Sequence, residues 1–82
     1  MNELQVKYFL ETVESGSITQ AAKNLFVSRP AVSKQISELE KELGVPLFER
    51  KNNMVVLTKG GKLFYDCFVQ IRRNIENTAV MA

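Results

Sequence analysis

The sequence predicts a mainly α domain: three helices, a two-stranded β-hairpin and a long final helix. Three observations predict it. Apolar residues recur at helical spacings through residues 4–13, 18–25, 32–43 and 63–78. Between Leu47 and Leu57 the pattern changes to two short β-type runs. Residues that start or stop helices (Gly16, Ser17, Ser28, Gly44, Pro46 and Thr58) fall where the periodic stretches begin and end.

The first helix carries Leu4, Tyr8, Phe9, Leu10 and Val13 mostly on one face, and Gly16 suits its end. Ser17 followed by Gln20 is a capping-box pattern, in which each side chain satisfies a free N–H at a helix start. Ile18, Ala21, Ala22 and Leu25 then make a short second helix whose alanines admit a close neighbour. Phe26-Val27 is a brief apolar connector. Ser28 can cap a third helix, with Pro30 tolerated in its first turn, where N–H groups lack helical partners. Gly44 and Pro46 stop that helix. Leu47-Phe48-Glu49-Arg50 and Met54-Val55-Val56-Leu57 read as strands joined through Lys51-Asn52-Asn53, because Asn tolerates the left-handed backbone of a tight turn. Thr58 can cap the last helix, and Gly60 and Gly61 in its first turn suit close backbone contact. The second and third helices form a helix-turn-helix, which the hairpin makes winged.

Composition favours binding over catalysis. The chain has 82 residues, enough for one domain with a small core, and 45% of them are hydrophobic. It has no histidine and one cysteine, Cys67, which excludes the usual zinc sites, an internal disulfide and His-dependent nucleophile triads. No enzyme activity, metal or cofactor is expected. No apolar run approaches the roughly 18 residues of a membrane span, and no secretory signal opens the chain. The cytoplasm is the expected compartment.

Charge is unevenly distributed. Residues 1–27 hold two basic and three acidic groups, residues 28–62 seven basic and four acidic, and residues 63–82 two of each. The middle stretch, residues 28–62, is therefore the electropositive part. At about 100° per residue from Val32, Ile36, Leu39 and Leu43 stay within roughly 40° of it. Pro30, Ser33, Lys34, Ser37 and Lys41 lie at roughly 100–200°, on the opposite face. Short hydrogen-bonding groups and cations near a helix N-terminus suit a DNA major groove, which admits one helix. Arg29 has the planar fork that pairs with guanine, and Lys34 reaches a base edge or a phosphate. The candidate DNA-binding set is Ser28, Arg29, Pro30, Ala31, Ser33, Lys34 and Ser37 on the helix, with Arg50, Lys51, Asn52 and Asn53 on the wing at the minor groove.

On the final helix, Phe64, Phe68, Ile71 and Ile75 step by 4, 3 and 4 and form a heptad-like seam. Burying them from two copies gives a gross gain of roughly 12–24 kcal/mol, against about 4–15 kcal/mol for association. A homodimer through this seam is expected. The expected division is a DNA-binding unit at 1–58 and a linker or dimerisation helix at 59–82. That helix meets Ala82 without a stop signal, so a larger domain is expected beyond it. A winged-helix module that contacts protein and not DNA is the competing reading.

These residues closely resemble the N-terminal domain of the LysR-type transcriptional regulators of bacteria. The resemblance runs from about Leu4 to Gly61, with the last helix corresponding to the family's linker helix. Its carriers are Phe9-Leu10-Glu11-Thr12-Val13, Gly16 through Leu25, Val27-Ser28-Arg29-Pro30-Ala31-Val32-Ser33-Lys34-Gln35-Ile36, Leu39-Glu40, Leu43 through Arg50, Leu57-Thr58 and Gly61. It implies a dimer, or dimer of dimers, on double-stranded promoter DNA, with linker helices paired antiparallel. It implies a small-molecule effector bound only by a C-terminal domain absent from this chain. It also implies that Arg29, Pro30, Ala31, Ser33 and Lys34 fall on the DNA-contacting helix and Arg50 on the wing. Position 29 is usually Gln and position 34 usually Arg in the family, so Arg29 shifts preference toward guanine or phosphate and Lys34 keeps charge without the bidentate fork. The wing tip carries fewer basic and glycine residues than is usual.

Overall fold

A computed structural model of the chain describes residues 1–51 and 54–82. Helix α1 spans Glu3–Ser15, α2 Ile18–Leu25 and α3 Arg29–Leu43; strands β1 (Phe48–Lys51) and β2 (Met54–Leu57) follow, and α4 runs over Lys59–Met81. The mainly α winged helix-turn-helix with a long final helix is therefore the observed architecture.

Helix boundaries follow local chemistry. The side-chain oxygens of Ser17, Ser28 and Thr58 accept the backbone N–H groups of Gln20, Ala31 and Gly61 at 3.0, 3.2 and 2.9 Å. Gly16 and Gly44 close α1 and α3 at φ 83° and 74°, where a Cβ would be strained. One capping box is complete where none was expected: Asn2 accepts from Gln5 N–H, and the Gln5 side chain accepts from Asn2 N–H.

The α2–α3 turn ends in a left-handed cap at Phe26, φ 58°. Phe26 N–H donates to Lys23 C=O and Val27 N–H to Ala22 C=O, a Schellman arrangement with Phe where Gly is usual. The apolar connector thereby splits. Val27 packs on the core, whereas the Phe26 ring is 94% exposed.

The strands pair antiparallel, Phe48 with Leu57 through Lys51 with Met54. Asn52 and Asn53, expected in the turn, lie outside the described residues. Two apolar clusters meet at Phe48. One holds Tyr8, Ala21, Ala22, Val32 and Ile36, which seats α2 and α3 on α1. The other holds Phe9, Leu10, Leu39, Leu47 and Phe68, which seats the hairpin base and α4. Phe9 is its hub, with ring centroids 5.4 Å from Phe48 and 5.9 Å from Phe68.

The seam expected on α4 divides. Phe68 is 4% exposed, inside this chain's own core, with Phe64 half-buried beside it. Ile71 and Ile75 are 48% and 65% exposed. Phe68 is thus covered by Phe9 and Leu10 and is not available to a second copy. The core runs across residue 58, so the first half of α4 is packed as part of the winged unit.

Gly61 is the tightest point of that packing. A Cβ there would lie 2.0 Å from the Leu47 carbonyl oxygen, which is backbone and cannot step aside. Gly61→Ala gains about 1 kcal/mol of helix propensity. It loses about 3 kcal/mol or more to overpacking. A net drop in melting temperature of roughly 8–16 °C is expected by circular dichroism. A melt unchanged within 2 °C (about the error of such a scan) would show that the hairpin base does not sit on α4.

Candidate nucleic-acid interface

Helix α3 has one face sealed and one face free because of its periodicity. Val32, Ile36 and Leu39 are buried against α1, α2 and the hairpin base. On the other side Ser28, Arg29, Pro30, Lys34 and Ser37 are exposed, and Ala31 and Ser33 are half-buried. Ser28 is spoken for in part, since its oxygen caps the helix. Arg29 and Lys34 make no ion pair among the described residues.

The wing lies beside this face. A narrow crevice of about 80 Å³ is lined by Ser33, Ser37 and Glu40 of α3 together with Phe48 and Val55 of the hairpin. Helix and wing are therefore neighbours on one side of the molecule. Arg50 occupies the strand position opposite Val55. The exposed Lys51 ammonium is 3.9 Å from the Glu49 carboxylate, a surface pair worth about 0–1 kcal/mol that water and salt screen. Asn52 and Asn53 lie outside the described residues, so the structure brings together the helix residues and the wing strands, not the wing tip.

Three acidic residues, Glu38, Glu40 and Glu42, lie on the second half of α3. Two of them are engaged. Glu42 pairs with the N-terminal ammonium of Met1. The Glu40 carboxylate accepts the Leu47 N–H at 2.6 Å and reaches the Phe48 N–H at 3.4 Å. A Glu seven and eight residues ahead of its partners has no local sequence signature, which is why periodicity alone does not find it.

A second polar contact joins α1 to α4. The Arg72 guanidinium donates to both oxygens of Glu14, at 3.2 and 2.9 Å, and the Tyr65 hydroxyl donates to the same carboxylate at 3.3 Å. The Arg72 hydrogen bond holds the Glu14 carboxyl below its ordinary range. Burial, then the Glu14 charge, pushes the Tyr65 phenol up, and the bond to Glu14 raises Arg72. Both partners are partly exposed, so the fork adds little to the stability of the fold. Between α1 and α4 beside it lies an open groove of about 760 Å³, lined by Val6, Leu10, Phe68, Ile71 and Ile75 among others.

Among the described residues no cluster of His, Cys, Asp and Glu could hold a metal ion. No described helix is long and apolar enough to cross a membrane.

Residues 4–62 match the family model described as "Bacterial regulatory helix-turn-helix protein, lysR family". The chain is 48% identical over 59 residues to a "Probable RuBisCO transcriptional regulator" of Gracilaria tenuistipitata var. liui, covering 72% of this chain and 19% of that protein. It is 37% identical over 76 residues to the "HTH-type transcriptional regulator BenM" of Acinetobacter baylyi, covering 93% of this chain and 25% of BenM. The chain thus spans a quarter or less of the length of these two relatives. In three dimensions it is similar to the BenM DNA-binding domain in its crystal complex with benA site 1 DNA, at a TM-score of 0.90 and 36% identity, covering 99% of this chain and 94% of that one. It is similar to the CbnR DNA-binding domain in complex with DNA at a TM-score of 0.89 and 34% identity, covering 99% and 93%. With nearly three quarters of its length inside the family model and its whole fold shared with these domains, the chain belongs to the lysR family of bacterial regulatory helix-turn-helix proteins.

Proposed function

We propose that this chain is the DNA-binding unit of a cytoplasmic bacterial transcriptional regulator and binds double-stranded DNA sequence-specifically as a dimer. On this reading α3 enters the major groove by its first two turns and the wing lies at the minor groove. The observation that carries the reading is the free face of α3, where Arg29, Pro30, Lys34 and Ser37 stand exposed over a closed apolar side. The relatives of the same fold solved as DNA complexes support it. Arg29 supplies base-edge contact, Lys34 base or phosphate contact, and Ala31 and Ser33 let the backbone approach closely. Lys51, with Arg50, Asn52 and Asn53, is assigned to the flanking minor groove. The small-molecule response of the regulator is assigned to a further domain of the intact protein.

The dimer is proposed to form along α4, with a reduced seam. With Phe68 already buried at home, Ile71 and Ile75 of two copies contribute at most about 6–12 kcal/mol. That lies within the association cost of about 4–15 kcal/mol. The apolar groove between α1 and α4 must therefore add area, and it lies directly beside those residues.

The test is selection of bound duplexes from a random library, followed by titration at several salt concentrations. Neutralising about six phosphates gives a log–log slope near −5. Enrichment of a two-fold symmetric site with that slope is the expected result. No duplex binding at low salt would leave the protein-contact module as the surviving reading.

A further inference from the structure

We propose that Glu40 is a positioning residue for DNA recognition: its carboxylate fixes the wing relative to α3. The inference rests on the DNA-binding reading above. Glu40 lies on the flank of α3 that also carries Ser33 and Ser37, seven and three residues earlier, and all three line the crevice between helix and wing. One oxygen, Oε2, accepts the Leu47 N–H at 2.6 Å and lies 3.4 Å from the Phe48 nitrogen, so the chain is held at the residues where β1 begins. The other side of the same segment is held from α4. The Leu47 carbonyl accepts the Thr58 N–H at 3.0 Å, and the Pro46 carbonyl accepts the Thr58 hydroxyl at 2.6 Å. Leu47 is thus gripped through its N–H by α3 and through its C=O by the start of α4.

Three physical considerations give this grip a role beyond stability. A hairpin of four-residue strands is marginal alone and takes its orientation from what holds its base. Phe48 packing keeps the strand on the core, but an apolar contact does not direct the strand as a hydrogen bond of defined length and angle does. A carboxylate on the DNA-facing helix also repels phosphate, so its presence costs affinity unless it positions something else. Reading two grooves at once requires helix and wing to be held to within about 0.5 Å and 10–20°.

The experiment separates charge from reach. Glu40→Asp keeps the charge but is one methylene too short, whereas Glu40→Gln loses the charge but keeps an acceptor oxygen at full length. Each is footprinted with hydroxyl radicals on a duplex selected by the wild-type chain, with folding checked by circular dichroism and the Leu47 and Phe48 amides followed by hydrogen exchange. Glu40→Asp should protect the central backbone positions as the wild type does and lose protection at the flank. Its affinity should fall about tenfold, equivalent to about 1.4 kcal/mol. Its salt slope should be shallower by about one. Its Leu47 and Phe48 amides should exchange faster. Glu40→Gln should restore the flank and bring affinity to within about threefold. Retention of flank protection by Glu40→Asp, or failure of Glu40→Gln to restore it, overturns the proposal while leaving DNA binding standing. Uniform loss of centre and flank in step with unfolding assigns Glu40 a structural role only and also overturns it. A wild-type chain that selects no duplex overturns the DNA reading itself.

Discussion

Replacing Phe68 with Asp should unfold the domain outright. Phe68 sits on α4, yet its ring is packed edge-on against Phe9 and beside Phe64, 4% exposed, with Leu10, Leu39 and Leu47 completing the cluster. Truncating such a buried aromatic costs about 3–5 kcal/mol. Asp adds the cost of a buried carboxyl with no partner, several kcal/mol more. A domain of this size holds roughly 4–12 kcal/mol in total. Loss of the helical circular dichroism signal and of any cooperative melt is expected. Ile71→Asp and Ile75→Asp provide the contrast. Their side chains already face solvent in the single chain. These variants should keep a cooperative melt, lowered only by the loss of the proposed dimer, and sediment as monomers at concentrations where that dimer forms. A folded, monomeric Phe68→Asp would show that the Phe9–Phe68 contact is not part of the core. A dimeric Ile71→Asp/Ile75→Asp double variant would exclude α4 from the dimer.

Lys34→Glu should abolish DNA binding while the domain stays folded. The side chain is exposed one turn inside the N-terminal end of α3, roughly opposite Leu39 around the helix. Nothing in the core depends on it. Removing a base or phosphate contact costs about 1–3 kcal/mol. Placing a carboxylate against the phosphates adds a repulsive term of similar size, so affinity should fall about 100- to 1000-fold at 0.1 M salt. Lys34→Gln isolates the first effect and should retain part of the binding. A mobility-shift titration in which Lys34→Glu binds like the wild type would exclude the first turns of α3 from the groove. A lowered melting temperature in the same variant would show that the position is not free.

The sequence by itself determined the elements and the orientation of α3. Its rules act within one turn of chain: Ser17, Ser28 and Thr58 bond to N–H groups three residues on, and Gly16 and Gly44 take left-handed φ without a Cβ. The 3.6-residue period then fixed which side of α3 is sealed by Val32, Ile36 and Leu39 and which carries Lys34. Tertiary structure decided what those rules leave open. Periodicity identifies an apolar stripe on α4 but not how far neighbours extend along it, and it was the position of Phe9 and Leu10 on α1 that buried Phe68 and left Ile71 and Ile75 outside. Glu40 reads as a stray charge until the chain turns back after Gly44 and brings the Leu47 N–H to it, and Gly61 reads as a weak helix residue until the Leu47 carbonyl lies against it. The physical reason is common to all three. Caps and periods are interactions among covalently near residues, whereas these contacts depend on where separate elements pack in space.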